Sequence, residues 1–371
     1  MMTQVAWERK RMETRLLRGA LGDGGEADWL APAAQALLRE EVVAFPTETV
    51  YGLGALWRSP RALREVFRIK GRPQDNPLIL HVADAVMAWE LASEVPEAGR
   101  KLAEAFWPGP LTLILPAART VPREVTAGLS TVGLRCPAHP LAQALIRLCA
   151  EPLAAPSANI SGRPSPTTAV DVLEDLNGRV PYVIEGGASD VGLESTIVDL
   201  SEPGEAVILR PGAITQEALQ AVLDEAALSC LVTETDYVEG ELPRAPGTKY
   251  RHYAPRAQVH VLRALEPEAA MAEVSDWVRA RLTETEGPVG LYLDASLCGE
   301  MPPQALDEAS RQRIQIITFP NDDQGREAAH GLFAAFRSFD RLGCRAIACS
   351  AIPEVGYGVA YMNRLLKAAS N

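Results

Sequence analysis

The feature that most constrains this chain is an alternation of helix-patterned and strand-patterned segments that runs twice along the sequence and is interrupted once. From about residue 30 to 225, apolar residues at helical spacing (PAAQALLRE) alternate with short β-rich runs (VVAFP). Such alternation predicts helices packed on a mixed α/β sheet. Ser59-Pro60 predicts a helix start ahead of RALREVFRIK, because a hydroxyl caps the first turn and proline fits its first position. PLILHV at 77–82, LTLILP at 111–116 and TVGLRCP at 131–137 read as strands. A helix is predicted around 140–149. TTAVDVLEDLNG predicts another, capped by Thr167 or Thr168 and stopped at Asn177-Gly178. YVIEGG, STIVDL and AVILRPG read as strands, and TQEALQAVLDEA as the closing helix. From 257 the pattern restarts: VHVL, VGLYL, IQIITF and AIACSAI as strands, helices near 266–283 and 325–341, and a last helix in YMNRLLKAA. That spacing predicts a small doubly wound sheet.

The interruption spans 229–256. It is acidic in LVTETDYVEGEL, then basic and proline-rich in PRAPGTKYRHYAPR. A plain spacer would lack its tyrosines and histidine. Residues 1–28 read as a ragged lead without a domain of their own, and Met12 is an alternative start to Met1. The expected division is therefore 1–28 as lead, 29–228 as the first domain, 229–256 as linker and 257–371 as the second domain. A chain of 371 residues suits two such domains, each able to bury its own core.

Composition removes several classes. No run of 18 apolar residues occurs, so no transmembrane helix is expected, and the N-terminal stretch lacks the apolar core of a secretory signal. The six cysteines show no CxxC pair, which predicts free thiols and a cytoplasmic location. A net charge of -12 disfavours a surface dominated by nucleic-acid binding while leaving room for a local basic cleft. There is no P-loop, no GxGxxG opening a helix, no HExxH and no GxSxG, so any nucleotide handling needs a different cradle.

Several segments place chemistry-bearing residues at element ends. FPTETVYGLGA sets Thr47, Glu48, Thr49 and Tyr51 after a strand and before Gly52 and Gly54, which suits a ligand site or a polar turn. KGRPQDNPL offers Lys70 and Arg72, with Asn76 following, either to phosphate or to a solvated helix C-terminus. Arg135 lies in the β-rich run that begins at Thr131, where an unpaired arginine is unfavourable, so it meets a carboxylate of a ligand or of the protein. PLAAPSANISGRPSPT presents Ser157, Asn159, Ser161 and Ser165 as an anion-binding or simply polar loop. GLESTIVDL carries Glu194, Ser195 and Thr196, and Arg210 ends another strand in ILRPG. Taken together, the cations and hydroxyls fit a polyanion and a small carboxylate, with catalysis by positioning and charge neutralisation.

FPTETVYGLGA, KGRPQDNPLILHV, WPGPLTLIL, STVGLRCPAHP, APSANISGRPSPT, GLESTIVD and LRPGAI, in this order, resemble the YrdC/Sua5 family over about residues 30–220. APGTKYRHYAP and the final IPEVGYGVAYMNRLLKAA are similar to the longer Sua5 form. The resemblance implies a YrdC-like twisted mixed sheet with a concave cationic cavity, followed by a small Rossmann-like domain. It also implies synthesis of L-threonylcarbamoyladenylate from L-threonine, bicarbonate and ATP, with release of diphosphate, for N6-threonylcarbamoyladenosine at position 37 of tRNAs reading ANN codons. By motif, the threonine pocket would be Thr49, His81, Arg135, Ala155 and Ser195. The ATP contacts would be Arg72, Asn76, Thr131, Ser157, Ser165, Arg210 and Tyr253. Lys70 and Arg72 would neutralise phosphate charge as catalytic residues. Mg²⁺ would accompany ATP, with no ligands assigned. Tyr253 would belong to a lid formed by the linker. The resemblance points to a downstream tRNA threonylcarbamoyl-transferase machinery as partner and leaves direct tRNA contact open. A carbamoyl-transfer relative and a double-stranded RNA binder are the alternatives.

Overall fold

The computed structural model describes residues 12–22, 27–235, 243–247, 253–322 and 324–370, except that 301–305 within this span lie outside the description. Met1, the acidic centre of the linker and its Tyr250, Arg251 and His252 also lie outside the described residues.

Among the described residues, eleven strands form one mixed sheet: β1 (Arg15–Leu17), β2 (Val43–Phe45), β3 (Gly52–Leu56), β4 (Ile79–His81), β5 (Leu111–Pro116), β6 (Thr131–Arg135), β7 (Leu153–Ala154), β8 (Tyr182–Ile184), β9 (Thr196–Asp199), β10 (Glu205–Arg210) and β11 (Leu231–Glu234). Their order is β1-β8-β2-β3-β7-β4-β6-β5-β9-β10-β11. Both parallel and antiparallel pairs occur, as where β6 pairs parallel to β4 and antiparallel to β5. The second sheet contains β12 (Gln258–Leu262), β13 (Val289–Asp294), β14 (Ile314–Phe319) and β15 (Ala346–Ser350), all parallel in the order β12-β15-β13-β14.

The large sheet extends past both expected limits of the first domain. Arg15–Leu17, read above as part of a lead without a domain, pairs parallel with Tyr182–Ile184 and forms one edge. Leu231–Glu234, read as linker, pairs parallel with β10 and forms the other. Short edge strands carry little hydrophobic pattern of their own, and their place depends on the partner strand. Gly52–Leu56 is a fully buried strand. Gly54 packs against the Phe45 ring so closely that an added Cβ would stand 2.8 Å from Cε1.

Local signals elsewhere agree with the structure. The helix Pro60–Lys70 starts at Ser59, whose Oγ accepts from the Ala62 amide at 3.1 Å, and ends at Gly71 with φ 62°. Its buried residues Leu63, Val66, Phe67 and Lys70 recur at helical spacing, so the same face that builds the core brings Lys70 inward. The helix Ala169–Leu176 has Thr168 as its N-cap, in a reciprocal capping box with Asp171.

The two halves dock through buried charge. Arg337, on the helix Arg326–Arg341, is fully buried. It donates to the Pro164 carbonyl at 2.6 Å, to Asp175 Oδ2 at 3.0 Å and to the Asp171 carbonyl at 3.2 Å. Asp175 also pairs with Arg163, and Arg341 reaches Asp171 and Glu174 at 3.0 Å each. Gly192 allows the close approach nearby. Its φ is +76°, and an added Cβ would stand 2.2 Å from the His330 carbonyl oxygen on the same helix. Arg337→Ala leaves Asp175 with Arg163 as its arginine partner but removes the donor to Asp175 Oδ2 and to the Pro164 and Asp171 carbonyls, so it should lower stability by about 3 kcal/mol in urea denaturation, whereas Arg337→Lys should lose less.

Candidate active site

The site begins at the carboxyl end of β2. Thr47 Oγ1 donates to the Val50 carbonyl at 2.7 Å, closing a tight turn that holds Glu48 and Thr49 in the interior. Strands β4 and β6 run parallel with His81 opposite Arg135, which sets a ring and a guanidinium side by side. Ala155 is fixed by its amide, which donates to the Ile79 carbonyl at 2.9 Å. Ser195 precedes β9 and Arg210 ends β10. These elements converge on one cavity lined by Thr49, His81, Arg135, Ala155, Ser157, Ser195, Arg72, Arg210 and Tyr253, together with Glu194, Pro246 and Gly247. Nine residues expected from separate sequence segments thus share a single concave surface.

Electrostatics are set by burial. Arg135 is 4% exposed and stands 2.8 Å from Glu48 Oε1, but the geometry does not make a hydrogen bond. The contact is therefore coulombic, and a better-aligned carboxylate can replace it. His81 meets the Phe45 ring edge-on, and its pKa is pushed down to about 3 by burial and by Arg135, so the imidazole is neutral. Arg210 donates through Nε to the Ser195 carbonyl, through Nη2 to Ser195 Oγ and through Nη1 to the Pro246 carbonyl, each at 3.1 Å. Ser195 Oγ also lies 2.8 Å from Thr112 Oγ1.

Four expected residues are placed differently. Lys70 was expected to face phosphate. It is 2% exposed, does not line the cavity, and its Nζ donates to the carbonyls of Ser157 at 2.5 Å and Asn159 at 2.6 Å and to Asn159 Oδ1 at 3.2 Å. Burial, then the neighbouring Arg72, hold its pKa well below the usual lysine range. Lys70 therefore clamps the loop that carries Ser157. Asn76 lies behind Arg72, which donates to the Asn76 carbonyl at 3.4 Å and to the Pro77 carbonyl at 2.9 Å. Ser165 donates to Glu194 Oε1 at 2.5 Å and stands behind the wall. Thr131 lines a small adjoining cavity that shares Pro77, Leu78, Ile79 and Pro246 with the main one.

Other contributors come from the far end of the chain. Arg364, on the helix Tyr357–Ala369, is fully buried and donates through Nε to Glu194 Oε2 at 3.0 Å. Burial alone would raise the Glu194 pKa, but Arg364, Arg210 and the Ser165 hydroxyl outweigh it and hold the group below the usual carboxylate range. The Arg364 guanidinium also lies 5.4 Å from the centre of the Tyr253 ring, which stacks on Phe333 at 5.3 Å. Lys367 donates to the Gly247 carbonyl at 2.9 Å. The available signal was an arginine inside the apolar run YMNRLLKAA, the same kind of signal that marked Arg135.

Two family profiles match the chain. One, of the Sua5/YciO/YrdC type and described as "Telomere recombination", matches residues 35–212. The other, described as "Threonylcarbamoyl-AMP synthase, C-terminal domain", matches residues 214–370. A threonylcarbamoyl-AMP synthase of Pyrococcus abyssi is 42% identical over 343 residues, covering 92% of this chain and 94% of the relative. One of Bacillus subtilis is 42% identical over 345 residues, covering 91% and 92%. The crystal structure of P. abyssi Sua5 complexed with L-threonine superposes with a TM-score of 0.82 at 39% identity, covering 96% of this chain and 97% of that one.

The depressed His81 pKa has a direct consequence. The unfolded chain binds a proton near pH 6.5 that the native state refuses down to about pH 3. Stability should therefore be full above pH 6.5 and fall as pH drops through that window, by up to about 1.4 kcal/mol per pH unit. Urea denaturation at stepped pH should show a shallower fall for His81→Gln than for the parent.

Proposed function

The chain belongs to the Sua5/YrdC family, in the long form with the Sua5-type C-terminal domain, and on that premise we propose how its cavity makes L-threonylcarbamoyladenylate. The observation that carries this reading is the shared lining: an arginine beside a neutral histidine, and two further arginines with hydroxyls, in one buried cleft.

Arg135 takes the carboxylate of L-threonine, displacing its loose contact with Glu48. Thr49, His81, Ala155 and Ser195 complete the amino-acid pocket. A neutral His81 adds no second positive charge beside Arg135 and leaves the threonine amine free of repulsion. Arg72, Ser157, Arg210 and Tyr253 meet ATP, with Thr131 on the adjoining wall. Asn76 and Ser165 act indirectly, the first by orienting Arg72 and the second by holding Glu194. The neutral amine attacks bicarbonate, or the CO2 left when bicarbonate loses hydroxide; the N–C bond of a carbamate forms as the C–OH bond breaks, and the amine proton joins that hydroxide as water. A carbamate oxygen then attacks the α-phosphorus, the bond to the bridging oxygen breaks, and diphosphate leaves. Arg72 and Arg210 balance the charge that develops on the phosphate oxygens.

The described residues offer no cluster of three or more metal-ligating side chains; Glu194, which lines the cavity, faces Arg364, and Glu48 beside it faces Arg135. Mg²⁺ therefore belongs with ATP as part of the substrate, and no step is assigned to it.

The cavity has only about 60 Å³ of space, far below the roughly 300–1,000 Å³ of ligand clefts. Pro246 and Gly247 lie across it, tied by their carbonyls to Arg210 and Lys367. As part of this proposal, Pro246, Gly247 and Tyr253 belong to a lid that lifts to admit ATP and closes to exclude water from the labile carbamate. The product serves N6-threonylcarbamoyladenosine formation at position 37 of tRNAs reading ANN codons. A downstream tRNA threonylcarbamoyl transferase and a cytoplasmic location complete the proposal. Among the described residues no helix is long and apolar enough to cross a membrane.

Incubation with ATP, Mg²⁺, bicarbonate and L-threonine should yield diphosphate and a threonylcarbamoyl-AMP mass, and omission of threonine or bicarbonate should abolish both. Arg135→Ala should raise the threonine KM about tenfold or more, and Arg72→Ala or Tyr253→Ala should do the same for ATP. Normal kinetics in all three variants would overturn the assignment. Lys70→Ala should differ by also lowering Tm, because two buried carbonyls lose their donor.

A further inference from the structure

The C-terminal sheet carries a second crevice, remote in the fold from the catalytic strands. It opens at the carboxyl ends of the four parallel strands and is lined there by Ala264, Asp294, Phe319 and Ser350 among others. Its volume is about 340 Å³, within the range of small-molecule clefts. In open parallel sheets this end is the ligand-binding end, where the connections leave toward opposite faces. That condition is met here. The helix Pro267–Glu284, after β12, packs on one face with Leu262, Val274 and Leu291, whereas Arg326–Arg341 and Tyr357–Ala369 pack on the other with Val261, Tyr292 and Cys349.

The polar groups of the crevice select the ligand. Asp322 is already engaged: its carboxylate accepts from the amides of Gln324, Arg326 and Glu327 at 2.8–3.0 Å, capping the helix that begins at Arg326. The N-terminus of the helix that begins at Arg326 therefore already holds an anion, and no lysine or arginine lines the crevice. Asp294 closes the second strand of the domain. Its Oδ1 accepts from the Ser296 amide at 2.8 Å, and Oδ2 has no partner among the described residues. A carboxylate at the carboxyl end of a parallel strand can accept ribose hydroxyls, as one does in dinucleotide folds. Ser350, at the end of β15, is 6% exposed and lines the crevice, and its Oγ is buried without a hydrogen-bond partner. A buried hydroxyl left unpaired costs stability, and a ligand hydroxyl would satisfy it. Leu265, Phe319 and Ile352 supply apolar wall beside these groups.

We propose that this crevice binds a ribonucleoside without a 5′-phosphate, its ribose diol on Asp294 and the crevice hydroxyls and its base against the apolar wall. The test uses the full chain with ATP saturating the catalytic cavity and adenosine, guanosine, cytidine and uridine as probes, read by saturation-transfer NMR and calorimetry. At least one should bind at the millimolar level or tighter. Its 2′-deoxy analogue and its 5′-monophosphate should bind about tenfold more weakly or worse, the first from a lost charge-assisted hydrogen bond and the second from repulsion. Asp294→Asn and Ser350→Ala should weaken binding by a similar factor while leaving threonylcarbamoyl-AMP synthesis unchanged. Absence of binding by all four nucleosides, equal binding of the monophosphate, or full binding by Asp294→Asn would each overturn the proposal.

Discussion

A charge taken out of water must be paired, and in this protein two of the most deeply buried pairs run between the two halves. Arg364 and Arg337 are fully buried, and each finds its carboxylate on the other side of the domain boundary, at Glu194 and Asp175. Neither arginine could be buried in its own domain alone without the cost of an uncompensated charge. Docking and charge pairing are therefore one event. The geometry of the cavity wall depends on it, because Glu194 also receives Ser165 and the Arg364 guanidinium lies against the Tyr253 ring.

This coupling gives the C-terminal domain a concrete part in the cavity wall. Its last helix supplies Arg364 to the wall and Lys367 to the Gly247 carbonyl, while Phe333 backs the Tyr253 ring. On the other side the Pro246 carbonyl is held by Arg210, which also grips Ser195. Pro246 and Gly247 are thus held between the two domains by single hydrogen bonds. Such bonds contribute about 1 kcal/mol each, or up to about 3 when charged.

Much of the site was legible because the chemistry left unusual residues in ordinary patterns. Arg135 in an apolar β run and Arg210 before a Pro-Gly turn both lie in the cavity, as do Ser157 and Ser195. Lys70 shows the limit of this reasoning. A lysine at a helix end beside Gly71 suits phosphate equally well whether its side chain turns outward or inward, and only the carbonyls of Ser157 and Asn159, 87 and 89 residues away, decide that it turns in. Arg364 was missed for a related reason: its partner Glu194 is 170 residues away. The edge strands Arg15–Leu17 and Leu231–Glu234 went unread because three or four residues show no period and acquire a conformation only by pairing.

The sequence by itself determined what depends on neighbours in the chain: the capped helices, the order of the longer strands, the two α/β patterns and the ordered motifs that resemble the YrdC/Sua5 family. These follow from local propensity and periodicity, which act over a few residues. Only the tertiary structure decided which cations face the cavity and which serve as internal clamps, how far the large sheet extends, and that the last helix completes the wall around Glu194. Those outcomes rest on desolvation and pairing between residues distant in the chain, and burial is a property of the whole fold rather than of any segment.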